Sequence, residues 1–154
     1  MISEVLTVGL LAGFRKNSRI QRVKRCGFEL KSAHFANEGM VYHDEWVDGG
    51  GQELIRASDE EFTRVYAGGV AKDEVLKKLG IQKGVVIGQL IGMLTKLGEK
   101  ARLYDDCNYN DGDWSYRYNI IDEDKDTMVT TGKETIKYKD QTVFVHVLVM
   151  SPVR

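Results

Sequence analysis

Three groups of residues in this chain have side chains suited to chemistry. The first is His34, His43 and Glu45, which flank Ala36-Asn37-Glu38-Gly39, a tight-turn candidate. With Asn37-Glu38 as the turn, Ala36 faces Gly39 and His34 faces Val41. Because strand side chains alternate, His34, Val41, His43 and Glu45 then share one face of a hairpin. Two imidazoles and a carboxylate on one face are a donor set for Zn²⁺ or a similar ion. They would suit a small hydrolase or isomerase. The competing reading is a solvent-facing polar row, with Ala33, Phe35, Met40, Tyr42 and Trp46 packing behind it. No cofactor is expected, and His34, His43 and Glu45 stand as the metal candidates.

The second group is Glu53 and Glu134, which occupy equivalent places in two similar stretches. Such carboxylates either face one cavity as acid and base or accept hydrogen bonds from turn amides and pair with cations. The third is the aromatic set. Trp46, Tyr66, Trp114 and Tyr116 combine apolar area with one polar handle each, which suits core edges and ligand pockets alike. The expected ligand site is therefore Trp46, Glu53, Tyr66, Trp114, Tyr116 and Glu134.

Other residues read more plainly. His146 lies in the most apolar strand candidate, as a neutral buried histidine or a cleft base. Cys107 has no histidine or basic residue close in sequence to activate it. Asp106 to Gly112 fails as a calcium loop, since its glycine comes one place late and Arg117 stands where a bidentate glutamate belongs. No Gly-rich nucleotide loop, Walker lysine loop or Gly-x-Ser-x-Gly is present.

The elements that must position these groups follow from periodicity. An opening helix capped by Ser3 is expected over about Glu4–Lys16. Strands are expected at Phe28–Phe35, Gly39–Val47, Leu54–Arg56 and Phe62–Ala67, with Gly49-Gly50-Gly51 as a turn. Helices follow at Asp73–Leu79 and Gly84–Gly98. The second is apolar nearly all round, with Gly84, Gly88 and Gly92 as a smooth packing stripe. Strands resume at Leu103–Cys107, Trp114–Ile121, Met128–Tyr138 and Thr142–Met150. The last is apolar on both faces and should be covered on both.

The chain has 154 residues, 42% hydrophobic and 29% charged, with net charge −1. That is ordinary globular usage, long enough for one core, with no electrostatic pointer to nucleic acid or membrane. The basic run from Arg15 to Arg25 reads as a solvated connector. Val5–Phe14 is too short to span a bilayer. Two cysteines suggest free thiols and a cytoplasmic setting.

Gly51–Asp59 aligns without gaps with Gly132–Asp140, sharing the glycine, glutamate, isoleucine and aspartate. Tyr42-x-Asp44-x-Trp46-x-Asp48-Gly49-Gly50, then Gly51-x-Glu53, then Val65-Tyr66-x-Gly68-Gly69 resembles an uncharacterised family of small microbial domains. Its members occur alone or fused behind helix-turn-helix regulators. Gly112-Asp113-Trp114-x-Tyr116 followed by Gly132-x-Glu134-x-Ile136 is similar to that family's second half. The resemblance implies an architecture and no activity.

The expectation is one α+β domain over 1–154, with about seven or eight strands. Two antiparallel β-meanders, over about 28–70 and 101–150, are related by an internal repeat. They are joined by helices over 72–98 and packed around a central apolar helix. The leading function is a non-catalytic small-molecule-binding or regulatory domain. Alternatives are the hydrolase or isomerase above and a structural protein forming a homodimer through open sheet edges.

Overall fold

Two-residue turns set the frame of the chain. Cys26-Gly27, Glu38-Gly39 and Lys139-Asp140 all take positive φ at both positions, the twist that returns a strand antiparallel on its neighbour. Asp48-Gly49, Ser58-Asp59 and Gly112-Asp113 make three more such connections. In this computed structural model residues 4–5, 9, 20–100, 102 and 105–153 are described.

The strands are β1 (Gln21–Arg25), β2 (Phe28–Asn37), β3 (Met40–Val47), β4 (Gly50–Ala57) and β5 (Glu60–Val70), then β6 (Cys107–Asp111), β7 (Trp114–Asp124), β8 (Val129–Tyr138) and β9 (Gln141–Pro152). Two helices, α1 (Asp73–Lys78) and α2 (Lys83–Leu97), join β5 to the second group. All the strands form one antiparallel sheet in the order β1-β2-β3-β4-β5-β9-β8-β7-β6. The two strand groups meet where β5 pairs with β9, from Phe62 opposite Pro152 to Val70 opposite Phe144.

This corrects the expected fold. The molecule is mostly a single continuous sheet, and there is no central helix with a meander on either side. The physical reason lies in α2. Only Val86, Leu90, Met93 and Leu94 are buried, a single stripe at helical spacing. Val85 is 46% exposed. Gly84, Gly88 and Gly92 have no described atom within 4 Å of where a Cβ would stand, so they are an open surface and not a packing stripe.

The inner face of the sheet carries two apolar clusters. Leu76, Val86, Leu90, Met93 and Leu94 of the helices pack with Tyr116, Tyr118, Ile136, Val143, Phe144 and Leu148. Tyr42, Ile55, Ala57, Phe62 and Met150 pack instead with Val5. Burying each large apolar side chain contributes about 1.5–3 kcal/mol. Of the opening helix, Glu4, Val5 and Gly9 are described and helical, and Gly9 lies so close to Tyr42 that no Cβ would fit. The rest of it, with Arg15, Lys16 and Arg19, lies outside the described residues.

Other expectations need correction. Gly50 and Gly51 belong to β4, and Gly49 alone of the three is in a turn. Gly51 is tolerated in a strand because Trp46 Cβ and the Tyr66 hydroxyl stand 2.7 and 2.5 Å from its missing Cβ. The basic run ends as β1, an edge strand, with Arg22 and Arg25 paired to Glu29 and Glu45. The strand expected at Leu103–Cys107 is found at Cys107–Asp111, and residues 103 and 104 lie outside the described residues. β9 sits mid-sheet but is covered on one side only, since Val147 is 40% exposed. Leu54 and Val65 are exposed on the same outer face. Among the described residues no helix is long and apolar enough to cross a membrane.

Candidate functional site

The turn at Glu38-Gly39 places Tyr42 opposite Phe35 and Asp44 opposite Ala33. The next turn places Asp44 opposite Glu53, and the one after places Glu53 opposite Arg64. Directly opposed residues have Cβ atoms about 4.5–5.5 Å apart. Asp44, Glu53 and Arg64 therefore form one row across three strands on the inner face. The register of β7, β8 and β9 builds a row of the same kind from Tyr118, Glu134 and His146.

Both glutamates are neutralised where they stand. Glu53 accepts hydrogen bonds from Arg64 Nε, from Arg64 Nη2 at 2.9 Å and from the Tyr42 hydroxyl at 2.7 Å. Glu134 accepts from Arg102 Nε and Nη2, each at 2.7 Å, and from the Tyr116 hydroxyl at 2.7 Å. Arg64 Nη1 donates to the Arg102 carbonyl at 2.8 Å, tying the two pairs together. Glu53, Glu134 and Arg64 are 0–1% exposed. Burial opposes their ionisation, but the guanidiniums outweigh it. Glu134 is held down at about 2 by Arg102 and His146, and Glu53 is lowered by Arg64.

Asp44 is treated differently. The Tyr66 hydroxyl donates to it, 3.1 Å from each carboxylate oxygen. Among the described residues it has no ion pair. Burial, with the charge of Glu53 beside it, pushes its pKa up to about 7, against the pull of the Tyr66 hydrogen bond. His146 stands nearby, its ring 5.2 Å from that of Tyr66 and 4.4 Å from that of Phe144. Its Nδ1 is 3.5 Å from Glu134 Oε2 and makes no hydrogen bond among the described residues.

These groups border a cavity of about 250 Å³ between the inner face and α2. Trp46, Tyr66, Phe144, Ile87 and Leu90 supply its apolar wall; Asp44, Glu53, Arg102 and His146 supply its polar side. Its exposed end carries Asp48 between Lys31 at 3.4 Å and Lys83 at 2.8 Å. A largely apolar chamber with a few converging polar groups is the usual form of a small-molecule site, and this one lies just below the usual size range of about 300–1,000 Å³.

Three of the expected ligand residues, Trp46, Glu53 and Tyr66, line this cavity. Tyr116 and Glu134 form the second buried pair and are not among its lining residues. Trp114 stacks on Tyr138, with ring centroids 4.5 Å apart, outside the cavity wall. His34 and His43 are directly opposite, rings 5.8 Å apart, with His43 Nε2 3.5 Å from Glu45. They lie on the outer face in a register other than the expected one, and no group of described residues is arranged to hold a metal. Burial raises the Cys107 thiol pKa.

Asp44, Arg64, Arg102 and Lys83 were not identified from sequence as site residues. For Asp44 a signal existed: once both turns are placed, it must stand beside Glu53, and like charges directly opposed are unfavourable. Arg102 reaches Glu134 from outside the strands, so no strand register could reveal it. No protein-family model, no curated protein and no solved structure matches this chain.

Proposed function

We propose that this domain binds a small, mainly apolar molecule in the cavity between the inner face of the sheet and α2, without transforming it. The observation that carries the reading is Asp44. Every other carboxylate of the buried belt has a guanidinium, whereas Asp44 has the Tyr66 hydroxyl alone among the described residues and faces the cavity. A carboxylate left short of partners in an apolar chamber is an anchor for a ligand group that donates to it. The Trp46, Tyr66 and Phe144 rings contribute contact area, and the Lys31–Asp48–Lys83 chain frames the entrance. A cytoplasmic setting suits the two free thiols, Cys26 and Cys107.

A fragment screen by NMR tests this. Binders are expected to shift the resonances of Trp46, Tyr66, Phe144 and Leu90. Ile87→Phe, which fills the chamber, is expected to abolish those shifts. Fragments that shift only outer-face residues such as Val65 and Val147 would overturn the reading.

A further inference from the structure

We infer that the ligand class of this cavity is a primary amine in its protonated form, with an apolar body, held through its ammonium by Asp44. The inference rests on the cavity being the binding site and deepens that reading.

The argument begins with charge. Asp44, Glu53 and Glu134 contribute three carboxylates to the belt, and Arg64 and Arg102 contribute two guanidiniums. Both guanidiniums are committed, each to one glutamate. Among the described residues the belt is therefore one guanidinium short of its carboxylates, and the shortfall sits on Asp44, at the cavity wall. An uncompensated charge in a chamber of low polarity is costly, and a ligand cation removes that cost as it binds.

Geometry adds to this. Tyr66 occupies one direction of approach to both carboxylate oxygens, and each oxygen retains a lone pair for a further donor. An ammonium brings three donors. The rings of Trp46, Tyr66 and Phe144 line the same cavity as Asp44, and aromatic faces attract cations. A carboxylate ligand placed there would instead stand against the ionised Asp44 carboxylate itself.

Asp44 must be ionised for this contact, so affinity has a pH dependence. The groups facing it are Glu53 on β4, Arg64 and Tyr66 on β5, His146 on β9 and Arg102 before β6. Lys31 on β2 and Lys83 on α2 stand at the entrance.

The test uses matched pairs: benzylamine against benzyl alcohol, and hexylamine against hexanol. The readout is Trp46 fluorescence in the full chain carrying Trp114→Phe, backed by calorimetry. Each amine is expected to bind about ten- to a hundredfold more tightly than its alcohol, the range for a hydrogen bond to a charged group. Asp44→Asn is expected to erase that difference by weakening amine binding far more than alcohol binding. Amine affinity is expected to fall below neutral pH, and His146→Gln is expected to keep that slope. Alcohols binding as well as amines would overturn the amine class and leave the cavity reading standing. Neither member of either pair binding would overturn both.

Discussion

Asp44 and Glu53 stand opposite each other on adjacent strands, yet the hydrogen bonds of Arg64 go to Glu53 and to the Arg102 carbonyl and none to Asp44. Two neighbouring carboxylates thus differ in proton affinity in opposite directions, Glu53 lowered and Asp44 raised.

The raised pKa makes a stability prediction. Asp44 moves from 3.8 to about 7 on folding, so the folded state holds the proton more tightly. Its contribution is fully present below about pH 4, declines as pH rises, and is gone by about pH 7. Asp44→Asn should therefore stabilise the protein at about pH 8, by up to about 4 kcal/mol, and change little at about pH 4. Urea unfolding at both pH values measures this. An equal change at both would show that Asp44 does not bind its proton differently on folding.

The Glu53–Arg64 pair predicts a contrast between single and double replacement. Arg64→Met leaves a buried carboxylate without its cation and should cost about 3–5 kcal/mol. Combining it with Glu53→Leu should cost much less, because no buried charge is then stranded. Denaturant midpoints of the single and double variants give the coupling directly.

Two glycines should respond with opposite sign. Gly51→Ala drives a methyl into Trp46, Tyr66 and the Glu45 carbonyl, and should destabilise by about 1–3 kcal/mol as overpacking does. Gly88→Ala adds a methyl to an exposed helix position with no described atom in reach, and should stabilise by about 0.5–1 kcal/mol. Thermal unfolding of the two variants separates them.

The two thiols should also divide. Cys26 is exposed in the β1–β2 turn, whereas Cys107 is partly buried and its pKa raised by that burial. A thiolate-selective reagent should label Cys26 first, and Cys107 should react fully only on unfolding. Mass spectrometry of a time course reads the order.

Much of the secondary structure is legible in the chain. Turn residues and alternation mark β2, β3 and β7 to β9 near their observed limits, and Gly80, at φ +68, ends α1 as a C-terminal glycine does. The architecture was less legible, because periodicity counts apolar positions without saying what covers them. Val85 and Val147 look like core and are exposed. The site divides the same way. Trp46, Tyr66 and Glu53 announce themselves by residue type. Arg102 does not, since its partner Glu134 is 32 positions away and no local pattern joins them.

The pairing of β5 with β9 also has a consequence for synthesis. The strand made last of the nine stands at the middle of the sheet, between β5 and β8. While the ribosome is still short of Gln141, the growing chain presents two half-built ribbons with open flanks. Only the arrival of β9 zips them together, so completion must wait for translation to pass that point.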